Sequence, residues 1–267
     1  MELCNPSMIQ KVINNSLITS GYQKIDDLIG GWHNGELVLL CGRPATGKTT
    51  FMLSSAVNIA SSGIPVALFE LEKSTAQLAW SIIQNMCEIS YEDILTYTNV
   101  KSEIELKAKD IFQQLPLYMD DDCKISVENI RQEVVQLDKN VGIIFIDYLQ
   151  LIEIGTKMES REQELSFIIK NLKELAIELD IPIIVSSQIP RNIWLDIKDK
   201  KPNLSILADF LGDEFENIDT ICFFDRTFDY SRQEDLYFMI AKHPSGIENK
   251  VNLIFCKQYS RIQNSEI

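Results

Sequence analysis

Short apolar runs alternate with longer amphipathic segments along most of the chain. The apolar runs predict strands, and the first five are of the kind expected for strands buried on both faces. The predicted strands are Leu37–Cys41, Val66–Glu70, Leu117–Met119, Ile143–Asp147, Ile183–Ser187, Thr220–Phe224, Leu236–Ala241 and Val251–Cys256. The segments around them predict helices at Thr49–Ser61, Ser74–Glu88, Lys101–Gln114, Ser126–Leu137 and Ser160–Leu179.

Alternation of strands and helices predicts an α/β fold, with a mostly parallel twisted sheet flanked by helices. The last three predicted strands are joined by short polar turns, so we expect them to pair antiparallel at one edge of the sheet. Residues 20–267 are predicted to form one domain, preceded by an arm at residues 1–19. A short helix in that arm, over residues 8–17, either joins the core or docks on a neighbouring subunit.

The octapeptide Gly42–Thr49 matches the phosphate-binding pattern G-x-x-x-x-G-K-[ST] without a gap or a substitution. It lies between a predicted strand and a predicted helix, where backbone N–H groups and the helix N-terminus favour an anion. We expect Lys48 to reach the β- and γ-phosphates and Thr49 to hold Mg²⁺ through its hydroxyl. The sequence therefore predicts an ATP site formed by Gly42, Arg43, Pro44, Ala45, Thr46, Gly47, Lys48, Thr49 and Thr50.

Four more polar residues lie at or just beyond the ends of predicted strands, at the same edge as the loop. Asp147 ends an apolar strand, as the carboxylate that orients Mg²⁺ does in phosphate-loop enzymes. Glu70 and Glu72 point to the same side by strand parity, so either could polarise an attacking water; for Glu70 a structural ion pair at the helix start is favoured. Gln188 is either a sensor of the γ-phosphate or a plain polar residue at a strand end.

The net charge of −14 argues against a protein coated in basic nucleic-acid-binding surface, although it allows a local basic groove. The first residues have no secretory signal pattern, and no apolar run approaches the roughly 20 residues of a membrane helix. We therefore expect a cytoplasmic protein with no membrane contact. His33 and His243 are far apart in the sequence and lack partners at metal-ligand spacing, which argues against a zinc site.

These motifs together resemble the RecA-like motor domain of DnaB-type replicative helicases, over nearly the whole chain from about Ser20 to Ile262. The most specific match is Ile146–Ile152, which is close to the family's I-D-Y-L-Q-L-I string. The other matching segments are Ser20–Asp26 and Gly30–Trp32 (entry segment), Gly42–Thr49 (A-R-P-x-x-G-K-T), Leu71–Ser74 (L-E-M-S), Ser187–Gln188 (S-Q-L-S-R) and Ile240–Lys242, which resembles the strand that reaches the neighbouring subunit's ATP.

The resemblance implies a RecA-like P-loop NTPase that hydrolyses ATP with Mg²⁺, assembles into a ring, expected to be a hexamer, and binds single-stranded DNA. Glu72 matches the family's catalytic carboxylate, which favours it over Glu70 as the base. Tyr259 resembles a tyrosine near the adenine, with a surface tyrosine as the alternative. The implied catalytic residues are Lys48, Glu72, Gln188 and Lys242, and the implied metal ligands are Thr49 and Asp147.

Three departures from the family weaken the helicase hypothesis. Pro244 occupies the position of the family's arginine finger, whose loss costs on the order of 10³ in rate, and leaves Lys242 as a point charge. The arginine-containing loop before the sixth strand also looks altered, at Leu204–Gly212. The chain has no room for the family's N-terminal domain. The alternatives are therefore an ATP-binding regulatory or adaptor module with little motor activity and, less favoured, a RecA- or KaiC-like signalling ATPase.

Two polar stretches, 153–159 and 190–211, correspond to the loops that line the central channel in that family. The second stretch combines cations, acids and one tryptophan that is placed to stack on a base or to anchor the loop. These residues predict either a channel that contacts DNA phosphates or a solvated lysine-rich loop. They are Arg191, Trp194, Asp196, Lys198, Asp199, Lys200 and Lys201.

Overall fold

One sheet of nine strands runs through the part of the chain that the structure describes. The computed structural model describes residues 17–90, 92–93, 98–137, 140–155, 157–189, 203–226 and 233–265. The strands are β1 Leu37–Gly42, β2 Val66–Glu70, β3 Leu117–Asp120, β4 Ile143–Asp147, β5 Ile183–Gln188, β6 Thr220–Arg226, β7 Gln233–Lys242, β8 Asn249–Cys256 and β9 Arg261–Asn264. Their order across the sheet is β3-β2-β4-β5-β1-β6-β7-β8-β9.

Strands β1 to β6 form a parallel region in the order β3-β2-β4-β5-β1-β6. Every residue of β1, β2 and β4 is buried, which confirms the prediction of strands covered on both faces. Because parallel strands share their direction, the carboxyl ends of β1, β2, β4 and β5 lie at the same edge of the sheet. The polar residues that follow these strands are thereby brought together.

The predicted antiparallel edge is also present. Strand β7 pairs antiparallel with β6 and with β8, and β9 pairs antiparallel with β8. Strand β9 was not predicted, because only Ile262 of its four residues is buried and the segment has no apolar run. The α/β fold class with antiparallel edge strands is confirmed.

The five predicted helices are present, and two more were not predicted. Ser126 and Ser160 cap their helices by accepting hydrogen bonds from the backbone N–H groups of Asn129 and Gln163. No helix in the described ranges is long and apolar enough to cross a membrane. The helices are α1 Gln23–Ile29, α2 Lys48–Ser61, α3 Thr75–Cys87, α4 Thr98–Gln114, α5 Val127–Gln136, α6 Arg161–Leu179 and α7 Leu204–Leu211, of which α1 and α7 were missed.

A separate apolar core lies on each face of the sheet. In the first core, helix α2 places Phe51 within 4.9 Å of the Tyr22 and Phe224 rings and 5.3 Å of the Phe238 ring, measured between centroids. The second core joins α5, α6 and α7 to the opposite face, with buried residues such as Leu172. Since both faces are covered, the edges of the sheet are the places left for a ligand.

The amino-terminal boundary of the domain lies close to the predicted one. Ile18 forms an isolated antiparallel bridge with Trp32, and its side chain belongs to the first core. The hydroxyl of Thr19 donates to Asp26 Oδ2 at 2.5 Å. Residues 18 and 19, assigned to the predicted arm, therefore contact the domain, while residues 1–16 lie outside the described ranges.

Candidate nucleotide-binding site

The loop between β1 and α2 has the shape that a phosphate cradle requires. Gly47 has a φ of +101°, a left-handed conformation that L side chains rarely adopt, and it is the N-cap of α2. At Gly42 a β-carbon would lie 2.7 Å from Thr46 Oγ1 and 3.3 Å from the carbonyl oxygen of Phe224. Both glycines are therefore needed for the loop, and α2 then begins with N–H groups that lack partners within the helix.

Lys48 lies along the inside of this loop. Its Nζ donates to the carbonyl oxygens of Gly42 and Arg43, each at 2.9 Å. Burial lowers the pKa of Lys48, and the nearby Asp147 carboxylate opposes that shift. The ammonium is thus a buried cation held by neutral acceptors, next to the place where the loop would hold an anion.

Thr49 and Asp147 meet although 98 positions separate them in the sequence. The Thr49 hydroxyl donates to Asp147 Oδ2 at 2.5 Å, and Ser186 on β5 donates to Asp147 Oδ1. The hydroxyl and carboxylate oxygens are the hard ligands that Mg²⁺ prefers. The donor set therefore fits the predicted metal, and the structure brings together the two residues that the sequence assigned to it.

The two candidate bases differ in their surroundings. Glu70, at the end of β2, is 1% exposed, and its Oε1 accepts hydrogen bonds from the backbone N–H groups of Glu72 and Lys73, both at 3.2 Å. Burial, reinforced by the Asp147 charge, raises the pKa of Glu70 to about 7. Glu72 is exposed, and its charge acts on both Lys48 and Tyr148. The geometry therefore makes Glu72 the more accessible carboxylate, and it replaces the expected ion pair of Glu70 with bonds to backbone N–H groups.

Gln188 ends β5 directly beside the phosphate loop, because it is the register partner of Gly42. A side chain with no predicted role holds its backbone: Gln150 Nε2 donates to the Gln188 carbonyl oxygen at 2.9 Å, and the Gln188 N–H donates to Gln150 Oε1 at 3.3 Å. Gln150 also donates to Ser187 Oγ at 2.8 Å. The string Ile146–Ile152 contained this residue, but its partner is not visible from local pattern.

The remaining predicted loop residues surround the cradle. Arg43 Nη2 lies 3.3 Å from Asp225 Oδ1 on β6, which ties the loop to the sheet. The Thr46 hydroxyl donates to the carbonyl oxygen of Arg43 at 2.8 Å. The other members are exposed or half-buried, and they are Pro44, Ala45 and Thr50.

Lys242 lies at the opposite edge of the sheet from the phosphate loop. It ends β7 and is the register partner of Ile221, near the amino end of β6. Its Nζ lies 3.2 Å from Glu216 Oε2 and 5.0 Å from the centre of the Phe215 ring. Lys242 therefore cannot serve the phosphate loop of its own chain, and Pro244 is exposed just beyond it.

Tyr259 lies in the 3-10 turn Lys257–Tyr259 between β8 and β9, and is half-buried. The neighbouring β9 passes next to α2, since the Ile262 N–H donates to Ser54 Oγ at 3.3 Å. Its predicted contact with adenine stays a prediction. The cations and the tryptophan predicted at residues 191–201 lie outside the described residues.

Comparison with known proteins gives matches over nearly the whole chain. The family model described as "DnaB-like helicase C terminal domain" matches residues 18–264. A replicative DNA helicase DnaB of Geobacillus stearothermophilus is 31% identical over 259 residues, which is 93% of this chain and 57% of that protein. A probable replicative DNA helicase of Guillardia theta is 34% identical over 208 residues, 75% of this chain and 35% of that protein.

Two solved structures have the same architecture. One, described as an ATPase domain, superposes with a TM-score of 0.84 at 26% identity, covering 97% of this chain and 96% of that one. A DnaB-like replicative helicase, described together with its interactions with primase, gives a TM-score of 0.83 at 26% identity and covers 100% of this chain and 68% of that one. The chain spans between 35% and 57% of the length of the two curated relatives given above.

Proposed function

This chain belongs to the family of DnaB-like helicase C-terminal domains, and we propose that it is an ATP-hydrolysing motor domain that acts on single-stranded DNA. The observation that carries the proposal is the meeting of Lys48, Thr49 and Asp147 at one sheet edge, with Glu72 exposed beside them. This arrangement supplies a cation for the phosphates, two oxygen ligands for a metal and a carboxylate for water, which are the parts that phosphoryl transfer needs.

Each part of the proposed site has its own task. The N–H groups at the start of α2 and the Lys48 ammonium bind the phosphates, where Lys48 exchanges its carbonyl partners for phosphate oxygens. Thr49 and Asp147 would hold Mg²⁺, which neutralises charge on the phosphates when bound. Glu72 orients the attacking water and accepts its proton. Gln188, fixed through its backbone by Gln150, reports the state of the γ-phosphate to the segment that follows β5.

A second subunit completes the proposal. Lys242 and Pro244 lie at the sheet edge away from the phosphate loop, so they are available to a neighbouring copy and not to their own site. We therefore propose a ring, with a hexamer as its expected size, and residues 20–267 as its ATPase domain behind an arm at 1–19. Contact with a primase is a proposal that follows from the similarity to the helicase described with that partner.

The alternative function is an ATP-binding regulatory or adaptor module with weak or no helicase activity. It is favoured by one observation, since Pro244 has no donor for a neighbour's phosphates and Lys242 already pairs with Glu216 at 3.2 Å. The net charge of −14 points in the same direction, because DNA-binding surfaces are usually basic.

Two measurements on the full chain separate the hypotheses. We expect ATP turnover to rise on addition of single-stranded DNA, and the protein to form hexamers with a non-hydrolysable ATP analogue. A Lys48→Ala variant is the control, and its turnover should be at background with and without DNA. A monomer that binds ATP but whose turnover does not respond to DNA would overturn the motor proposal and support the module.

A further inference from the structure

Glu70 is a buried carboxylate for which the proposed reaction has no use. It lies in register with Asp147 on the neighbouring strand, so two carboxylates sit side by side at the end of the sheet. Burial of a carboxylate next to another one is unfavourable, because desolvation and like-charge repulsion both act against its ionised form. A residue that carries this cost at the centre of the site calls for a role.

The contacts of Glu70 all converge on the short turn that follows it. Its Oε1 accepts two backbone hydrogen bonds, from Glu72 and Lys73, at 3.2 Å each. The chain is fixed before this turn by Leu71, whose N–H donates to the Asp147 carbonyl oxygen at 2.8 Å. It is fixed after the turn by Ser74, which forms a capping box with Gln77 at the start of α3. Glu70 therefore holds the middle of a turn whose ends are held by other groups.

We propose that Glu70 is a positioning residue, whose carboxylate holds the backbone of Glu72 so that the exposed Glu72 side chain faces the phosphate loop. This inference rests on the proposed function, in which Glu72 is the base. A base acts only within hydrogen-bond reach of its proton, so a small displacement of its backbone is enough to slow the reaction. ATP binding depends on Lys48 and on α2, which Glu70 does not touch in any contact described above.

Two variants of Glu70 separate positioning from chemistry. Glu70→Gln keeps an oxygen acceptor at the same length, so both backbone bonds can persist, and kcat should stay within about threefold of wild type. Glu70→Met has similar length but no comparable acceptor, and kcat should fall by about 10- to 100-fold. In both variants the KM for ATP and the Kd for a non-hydrolysable analogue should change by less than about threefold.

A double-mutant comparison tests whether Glu70 acts through Glu72. In a Glu72→Gln background, Glu70→Met should lower the residual turnover by less than about twofold, because the group that it positions is already gone. If Glu70→Met does not fold, Glu70→Asp takes its place in both comparisons. That variant keeps the charge but draws the oxygens back by one methylene, so kcat should fall while the analogue still binds.

Three outcomes would overturn the inference. A loss of turnover in Glu70→Gln as large as that in Glu72→Gln would make Glu70 a participant in the chemistry. A Glu70→Met protein with wild-type kcat would show that the backbone bonds do not matter, and full loss in the double variant would show independent action. Unchanged turnover in Glu72→Gln alone would instead remove the base of the proposed function, which is a separate and distinguishable failure.

Discussion

Two lysines lie near opposite ends of strand β1, and each donates to backbone carbonyls. Lys48, at the carboxyl end, has two carbonyl acceptors in the phosphate loop, each at 2.9 Å. Lys173, near the amino end, donates to the Gly35 carbonyl at 2.8 Å and also forms an ion pair with Asp219 at 2.6 Å. The first cation is held by neutral groups that an anion could replace, whereas the second already has its carboxylate.

Two threonines repeat the comparison. Thr49 donates to Asp147 and Thr220 donates to Glu36, both at 2.5 Å. Thr220 is fully buried, and the other oxygen of Glu36 accepts the His33 N–H at 2.9 Å, so that contact joins strand starts inside the fold. Thr49 is half-buried beside the phosphate loop. A buried carboxylate with a close donor is therefore no sign of a binding site by itself, and access to the anion cradle distinguishes the two edges.

The largest expected effect separates the two lysines by ligand binding. Lys48→Ala should weaken ATP binding by about 100-fold or more, because it removes the charge-assisted bonds to the phosphates. Lys173→Ala should leave the affinity within about twofold, since its ion pair lies at the other edge. Calorimetric titration with ATP measures both, and equal losses in the two variants would contradict the distinction between the edges.

The next effect reverses the order of the lysines. Lys173→Ala should lower the free energy of unfolding by about 1–3 kcal/mol, because Asp219 loses its cation. Lys48→Ala should change it by less than about 1 kcal/mol, since burial already disfavours its charged form, as the lowered pKa indicates. Urea denaturation without nucleotide gives both values. A larger loss in Lys48→Ala would mean that the phosphate loop also serves stability.

The threonines sharpen the comparison for the metal. Thr49→Val should raise the Mg²⁺ concentration needed for half-maximal turnover by about tenfold, because a hydroxyl ligand is lost without a change in shape. Thr220→Val loses the equivalent hydroxyl at the amino edge and should leave the Mg²⁺ requirement unchanged. Turnover measured across a magnesium titration checks both variants. An unchanged requirement in Thr49→Val would remove Thr49 from the metal site.

The smallest effect is a pH dependence at the amino edge. Burial raises the pKa of Glu36, so the folded protein keeps a proton at pH values where the unfolded chain has lost it. Its contribution to stability is full below the unfolded pKa and is lost as the pH rises through the folded pKa. The melting temperature should fall from pH 5 to pH 8, and less so in Glu36→Gln. Identical slopes for the two proteins would contradict this.

The sequence predicts the parallel half of the fold and the phosphate edge for one physical reason. Strands such as β1 and β4 are buried on both faces, so they are continuous apolar runs, and their carboxyl ends share an edge. Lys48, Thr49 and Asp147 belong to motifs that end or follow these runs, so their meeting could be expected.

Residues whose roles depend on distant partners could not be predicted. Gln150 matters through the backbone of Gln188, and local pattern does not indicate that contact. His33 and His243, far apart in the chain, lie with ring centroids 6.4 Å apart at the amino edge. The roles of Lys242 and Tyr259 remain predictions, because they depend on a neighbouring subunit and on a nucleotide.

The central claim is that Glu72 completes a working ATP site, and single-turnover hydrolysis tests it most directly. Wild type, Glu72→Gln and the control Lys73→Gln are each loaded with radiolabelled ATP and Mg²⁺, and phosphate release is followed. We predict that Glu72→Gln binds ATP within about threefold of wild type but hydrolyses it at least about 100-fold more slowly, while Lys73→Gln resembles wild type. Hydrolysis at the wild-type rate in Glu72→Gln would contradict the account.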